Sequence, residues 1–247
     1  MISVKDVSAY YYNEHILRNI NIDIEEFSIL AVIGPTNSGK STFLKLFNRL
    51  DEIKQGFKVK GKLLINDQNI FEQKVIDVRR TSGLVFSKPY ILPGTVFENL
   101  IFGLRIQKVN EEETLKYKLN EVLEHYKLTE YFAGIMDENP MNLSVFKQQL
   151  ITLVRILVLN PDIILFNKPT IRLSEIAANR FEAIIYNLKI RHTIIINPSN
   201  LGQARRISDY TAFIYNGNIV EYNQTNTFFT QPKMELTANY IRGRFDL

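Results

Sequence analysis

The sequence predicts an α/β fold: a mostly parallel sheet with an antiparallel β subdomain and an inserted α-helical subdomain. Three observations support it. Short β-rich segments fill residues 1 to about 70, a helical and aromatic stretch follows from about Pro89 to Leu150, and strand and helix alternate from Ile151 onward. Strand–helix alternation on both sides of a helical insert favours parallel strands joined by crossover helices. At 247 residues the chain fits a single large domain, since α/β folds often reach about 250 residues in one piece. Residues 1–88 and 151–247 are expected to form its core and 89–150 the helical subdomain.

The individual elements follow from local pattern. Ile2 to Tyr12, Ile16 to Ile24, Ser28 to Ile33 and Lys62 to Ile65 are rich in Ile, Val and Tyr, broken by Asn, Asp, Glu and Gly, and read as strands. One helix is set among them. Ser41 and Thr42 open it, and Phe43, Leu46, Phe47 and Leu50 recur at the spacing of one buried face. Thr95 to Leu104, Glu111 to Tyr126 and Thr129 to Ala133 read as helices, and the acidic start at Glu111 suits a positive helix N-terminus. Beyond these come strand Asp162 to Phe166, helix Ser174 to Ile190, strand Thr193 to Ile196 and helix Leu201 to Ile207. The last pair, Thr211 to Tyr215 and Asn218 to Tyr222, flanks Asn216-Gly217, a two-residue hairpin signal.

Composition narrows the function. Hydrophobic residues at 45% and charged residues at 23% describe an ordinary globular chain. Zero cysteines exclude disulfides, thiolate metal sites and a cysteine nucleophile. Lys+Arg number 30 against 26 Asp+Glu, interspersed, for a net charge of +4, which gives no argument for nucleic acid. The apolar run Ile151 to Leu159 is interrupted by Arg155 and is too short to span a bilayer. Lys5 and Asp6 lack the apolar segment of a signal peptide. A soluble intracellular protein is expected, one that docks onto a membrane protein at most. Glycine is scarce: 11 residues, where ~7% usage would give about 17.

Gly34-Pro35-Thr36-Asn37-Ser38-Gly39-Lys40-Ser41 satisfies G-x-x-x-x-G-K-[ST], after a strand and before a helix, which is the context the pattern needs. Glycines let the backbone turn its N–H groups toward phosphate oxygens, and Asn37 tolerates a left-handed conformation. Lys40 is placed to reach the β- and γ-phosphates, the Ser41 hydroxyl to ligate Mg²⁺, and Thr42 to follow it into the helix. The expected ligand is a nucleotide or another polyphosphate.

Beyond this loop the chain resembles the ATP-binding subunits of ABC transporters, and among them those of phosphate importers, over nearly its whole length. Tyr10-Tyr11 with Leu17-Arg18-Asn19-Ile20-Asn21, Phe47-Asn48-Arg49, Val85-Phe86-Ser87-Lys88-Pro89 and the ending Asn239-Tyr240-Ile241-Arg242-Gly243-Arg244-Phe245 carry the likeness. Alone, Tyr11 reads as a half-buried strand tyrosine; its register to the family's opening segment implies that it stacks on adenine. The resemblance further implies ATP and Mg²⁺ as ligands, a second ATP-binding subunit (identical or different), membrane permease subunits, and a place on the inner face of the plasma membrane.

The departures from the family are as specific. Its metal-contacting glutamine is Ser87, and its signature Leu-Ser-Gly-Gly-Gln is Leu143-Ser144-Val145-Phe146-Lys147. Val145 and Phe146 are expected to put side chains where a bare backbone approaches the partner's γ-phosphate. The metal-binding aspartate and the base glutamate stand as Asn167-Lys168, the switch histidine as Ser199, and the following loop's aspartate as Ser174; His15, His125 and His192 lie at other registers. Asn167 brings no charge to a cation, and a protonated Lys168 cannot act as a carboxylate base. Glu175 is the one local acid placed to substitute.

Three readings follow: an importer ATP-binding subunit with slow or lost hydrolysis, a non-hydrolysing regulatory or structural module, and, less favoured, a phosphotransferase or non-transport ATPase. Tyr90, Phe97, Phe102 and Leu104 could offer a groove to a permease, although for most of them core packing of the helical subdomain is the stronger reading.

Overall fold

The computed structural model describes residues 2–244; Phe245, the last residue of the terminal motif, lies outside them. Strands β1 (Ile2–Tyr11) and β2 (Glu14–Ile24) form a hairpin, followed by β3 (Ile29–Ile33) and helix α1 (Lys40–Leu46). Next come β4 (Phe57–Ile65), β5 (Gln68–Asn69), α2 (Val75–Thr81) and β6 (Ser82–Val85). The helical insert holds α3 (Val96–Ile106), α4 (Glu112–His125), α5 (Thr129–Phe132) and α6 (Val145–Leu157), the last running through residue 150. The chain then alternates: β7 (Ile163–Asn167), α7 (Glu175–Leu188), β8 (Thr193–Asn197), α8 (Leu201–Ile207), β9 (Tyr210–Tyr215), β10 (Asn218–Gln224), α9 (Thr225–Thr230) and α10 (Glu235–Ile241).

The strands form two sheets. A four-stranded antiparallel sheet runs β2-β1-β4-β5, and a six-stranded sheet runs β10-β9-β3-β8-β7-β6. In the larger sheet every neighbouring pair is parallel except β9–β10 at the edge. All five residues of β3 are buried, as expected of a parallel strand covered on both faces. Their alternation splits the core in two. Ile29, Ala31 and Ile33 face a layer with Val154, Phe181 and Ile185 of α6 and α7. Leu30 and Val32 face the other layer, with Phe43 and Phe47 and with Val4 and Val7 of the antiparallel sheet. Helix α1 is therefore held between the sheets, Phe43 and Phe47 meeting edge to face at 5.3 Å.

Helix α1 ends earlier than its apolar spacing predicts. It stops at Leu46, and Leu50 lies outside it because Arg49 takes a left-handed conformation with φ 54°. That geometry is fixed by bonding: Asn48 Oδ1 accepts from the Leu50 N–H, and the Arg49 guanidinium donates to the Ile70 and Gln73 carbonyls and to Glu52. Strand β4 also begins earlier than predicted, at Phe57 rather than Lys62. The short β6 carries no alternation to detect; Gly83 lies there because a Cβ would stand 2.1 Å from Ile156 Cγ2 on α6.

Candidate functional site at the ends of the parallel strands

The parallel strands deliver the phosphate loop, Ser87, Asn167-Lys168 and Ser199 to one edge, while Tyr11 comes from β1 of the antiparallel sheet. The 34–41 loop leaves β3, Ser87 follows β6, Asn167-Lys168 ends β7 and Ser199 follows β8, and these strands lie side by side in the order β3-β8-β7-β6. Ligands of open α/β sheets bind at this carboxyl edge.

The phosphate loop has the conformation its glycines allow. Gly34 has φ 150° and Gly39 φ 102°, and Asn37 adopts the left-handed region at 63°. A Cβ at Gly34 would stand 2.1 Å from the Ile214 carbonyl oxygen, and one at Gly39 2.7 Å from Leu17 Cδ2. Pro35 and Thr36 complete the turn, with the Ser38 N–H donating to the Pro35 carbonyl at 3.3 Å. Gly217 of the predicted hairpin turn donates to the Ser38 carbonyl at 3.1 Å and accepts from the Arg18 N–H at 2.8 Å. That turn therefore ties the loop to β2. Asn37, Ser38, Gly39, Lys40, Ser41 and Thr42 line a cleft of about 420 Å³ together with Glu14 and Ile16 of β2. Tyr11 pairs with Glu14 across the hairpin and is 38% exposed, its ring edge-on to Tyr12 at 5.0 Å.

Lys40 folds back on the loop, donating to the Pro35 carbonyl and to Ser38 Oγ. Burial, reinforced by the nearby positive charge of Lys168, lowers its pKa from 10.5 to about 8. The two lysines therefore share one electrostatic environment. Lys168 itself sits in a left-handed conformation, φ 50°, its N–H donating to the Asn197 carbonyl at 2.8 Å.

A divalent cation fits this edge poorly. Mg²⁺ takes oxygen ligands, usually one or two carboxylates together with phosphate. Here Asn167 Oδ1 already accepts from Asn197 Nδ2 at 2.8 Å, and the neighbouring side chain is a cation. Ser41 supplies one hydroxyl, and Ser87 is half-buried with a short side chain. Among the described residues no group of three or more His, Cys, Asp or Glu could hold a metal. Glu14 brings a carboxylate from β2, on the Tyr11 side of the cleft. Glu175 is exposed at the start of α7, and its charge acts on Arg206. Ser174 caps that helix, accepting from the Ala177 N–H.

Ser199 is engaged internally. It shares a hydrogen bond with Thr170 at 2.9 Å, and its N–H donates to Gln203 Oε1 at 2.7 Å. Gln203 in turn donates to Thr170 and Glu182. Gln149 of α6 donates to the Phe86 and Pro169 carbonyls and so couples the segments bearing Ser87 and Lys168. Nothing in the sequence separated these two glutamines from ordinary helix surface.

At the signature, Ser144 caps α6, accepting from the Lys147 N–H. Val145 is 40% exposed. Phe146 corrects the expectation: its ring turns inward against Tyr131 at 5.5 Å and Phe181 at 6.4 Å. An apolar seat behind the first helical turn outcompetes solvent for an aromatic ring. Of the predicted groove residues, Tyr90 lines an open groove of about 370 Å³ with Pro89, Ile91, Met141 and Val145. Phe97 packs on the core, Leu104 is buried within it, and Phe102 is exposed elsewhere.

Residues 17–171 match the family model described as ABC transporter. The chain belongs to the ABC transporter family. Within it the chain is PstB-like. It is 37% identical over 246 residues to the phosphate import ATP-binding protein PstB of Bacteroides fragilis, covering 99% of this chain and 97% of that protein. Identity is again 37% to the proteins of that name from Bacteroides thetaiotaomicron and Cytophaga hutchinsonii, with 98% and 99% of those chains covered. The fold is shared with solved structures of low identity. The cbiO1 structure from Clostridium perfringens, part of the ABC transporter complex cbiONQ, superposes with TM-score 0.81 at 19% identity, covering 98% of this chain and 96% of that one. The ATP-binding cassette MJ0796, described as a dimeric post-hydrolysis state bound to ADP and Pi, gives 0.76 at 24%, covering 91% and 99%. This ABC ATPase fold is the α/β architecture expected from the sequence. Among the described residues no helix is long and apolar enough to cross a membrane.

Proposed function

We propose that this chain is the ATP-binding subunit of a phosphate-type importer that binds ATP and hydrolyses it slowly or not at all. The observation that carries this is the contrast at one sheet edge: a correctly formed phosphate loop beside an Asn167–Asn197 amide pair and the Lys168 cation. Gly34 to Thr42 cradle the polyphosphate, and Tyr11 stacks on the adenine. No carboxylate stands at the ends of β6, β7 or β8 to orient an attacking water. The names of the curated relatives support the transport role.

On this reading the core of residues 1–88 and 151–247 binds nucleotide, and the helical part 89–150 meets the permease near Tyr90. The chain pairs with a second ATP-binding subunit, of the same or a different kind, at the cytoplasmic face of the membrane. Lys168 equally favours a second reading, a nucleotide-binding regulatory or structural protein that has shed turnover.

Steady-state turnover decides the hydrolysis question. Loss of a positioned base and of a metal carboxylate each lowers the rate by at least ~10², so the purified chain should stay well below about 1 s⁻¹, against typical values of 1–10³ s⁻¹. Faster turnover that Lys40→Ala abolishes would sink the proposal. Co-purification with a membrane permease supports transport, and a purely soluble complex supports the regulatory reading.

A further inference from the structure

We propose that the hydrogen bond between Tyr126 and His192 is an acid-released latch that holds helix α4 of the helical insert against the start of the parallel strands. Tyr126 is the residue that ends α4, and His192 stands immediately before β8.

The first support is the direction of two bonds. His192 Nδ1 lies 2.6 Å from the Pro161 carbonyl oxygen, which can only accept, so Nδ1 carries the proton. In the neutral ring Nε2 then holds a lone pair, and Tyr126 Oη, 2.5 Å away, donates to it. His192 is only 1% exposed, so both partners are needed to satisfy the ring. Protonation at Nε2 consumes the lone pair that Tyr126 bonds. It also creates a buried cation that has no ion pair with a carboxylate among the described residues.

The charged groups around the ring do not offset this. Lys118, Glu121 and His125 of α4 line a cleft of about 310 Å³ together with Tyr126 and Arg191. Burial, first of all, holds the His192 pKa below its ordinary value; Arg191 and His125 push the same way, while the Pro161 carbonyl and Asp162 oppose them.

The second support is how little else fastens α4. Leu115, Leu119 and Leu123 pack into the core. Its other side-chain bonds, Thr114 to Glu111 and Lys116 to Glu112, stay within its own first turns. Among the described residues, Tyr126 to His192 is therefore the one side-chain hydrogen bond that ties α4 to the rest of the chain. Opening the end of α4 lets water reach Nε2, so acid favours the open form. Where the insert meets a permease, the latch makes that contact responsive to pH; this last step rests on the proposed function, and the latch itself does not.

Hydrogen exchange of the full chain at about pH 7.5 and pH 5.5, corrected for intrinsic rates and compared between α4 and α7, tests this. Protection of α4 should fall by up to about tenfold per pH unit below 6.5, the effect of one proton, and at pH 5.5 should lie at least about tenfold below that of α7. His192→Gln, whose amide oxygen can accept from Tyr126 and does not titrate, should hold α4 protection constant across the range. Tyr126→Phe should lower it already at pH 7.5. Equal protection of α4 and α7 at pH 5.5 overturns the inference, because His192 is then exposed only by unfolding of the whole chain. Wild-type α4 protection that is the same at both pH values overturns it too, as does a pH response that survives in a folded His192→Gln or unchanged protection in Tyr126→Phe. Should either variant fail to fold, the wild-type comparison decides alone.

Discussion

Replacing Lys40 by methionine should abolish ATP binding and yet stabilise the empty protein. The Lys40 ammonium is partly buried, is repelled by Lys168, and is held only by the Pro35 carbonyl and Ser38 Oγ. The fall in its pKa from 10.5 to about 8 corresponds to about 3 kcal/mol at ~1.36 kcal/mol per tenfold. Solvent screening of a partly exposed group reduces that to about 1–2 kcal/mol. Methionine keeps the apolar stem and removes the charge, so a gain of about 1–2 kcal/mol should raise Tm by roughly 2–8 °C in a chain of this size. The pH dependence has a definite sign. Below about pH 8 lysine is charged in folded and unfolded chains alike, and the full cost is present. Between about 8 and 10.5 the folded chain binds fewer protons, so wild-type stability rises with pH and the advantage of the variant shrinks. Urea unfolding of both proteins at about pH 7 and pH 10 measures this difference. A variant less stable than wild type by 1 kcal/mol or more, or an advantage unchanged across that range, would refute burial of an unpaired cation as its source.

Gly34→Ala should lose ATP binding and destabilise the fold by at least about 2 kcal/mol, because the new Cβ meets the Ile214 carbonyl oxygen at 2.1 Å; calorimetry and urea unfolding read the two effects. His192 is held below its ordinary 6.5, chiefly by burial. Stability should therefore fall as pH drops below 6.5, where only the unfolded chain gains the proton, by up to ~1.4 kcal/mol per pH unit, and His192→Gln should flatten the slope of the urea midpoint between about pH 7.5 and 5.5. Arg155, pushed down to about 10 by burial, donates to Asn99 and to the Tyr90 carbonyl and joins α6 to α3. Arg155→Met should cost about 2–4 kcal/mol in urea unfolding, since it strands those acceptors.

The phosphate loop was legible because it is local: eight consecutive residues fix its conformation, and strand β3 and helix α1 flank it as the motif demands. The strands of the main sheet were legible where both faces are apolar, as in β3, β7 and β8. What pattern alone missed depends on residues distant in sequence. Strand β6 is four residues long and holds Gly83 for the sake of Ile156, more than seventy positions away. Gln149 and Gln203 look like surface helix residues until the carbonyls and hydroxyls they satisfy are brought beneath them. Apolar spacing predicts too long a helix α1 because it ignores the side-chain bonds that let Arg49 leave the helix. The motif position of Phe146 predicts an outward ring because it says nothing of the aromatic seat behind it.

That last residue changes where the damage to a paired site lies. The resemblance implies a head-to-tail pairing in which each phosphate loop meets the signature, here the α6 N-terminus, of the other subunit. With Phe146 turned inward, the face this chain presents there is Ser144 with the exposed Val145 and the cation Lys147, a smaller obstruction than two outward side chains. The helix end keeps its serine cap and has no acidic residue in its first turn, so its positive end remains open to an anion. On the proposed reading the chain's own edge is altered more deeply, because Lys168 is a cation where the resemblance implies a carboxylate base, and no repacking restores a carboxylate there. On the proposed reading the glycine scarcity of the sequence therefore marks the lesser change: the two glycines that shape the phosphate loop are kept, and slow turnover is expected chiefly from charge.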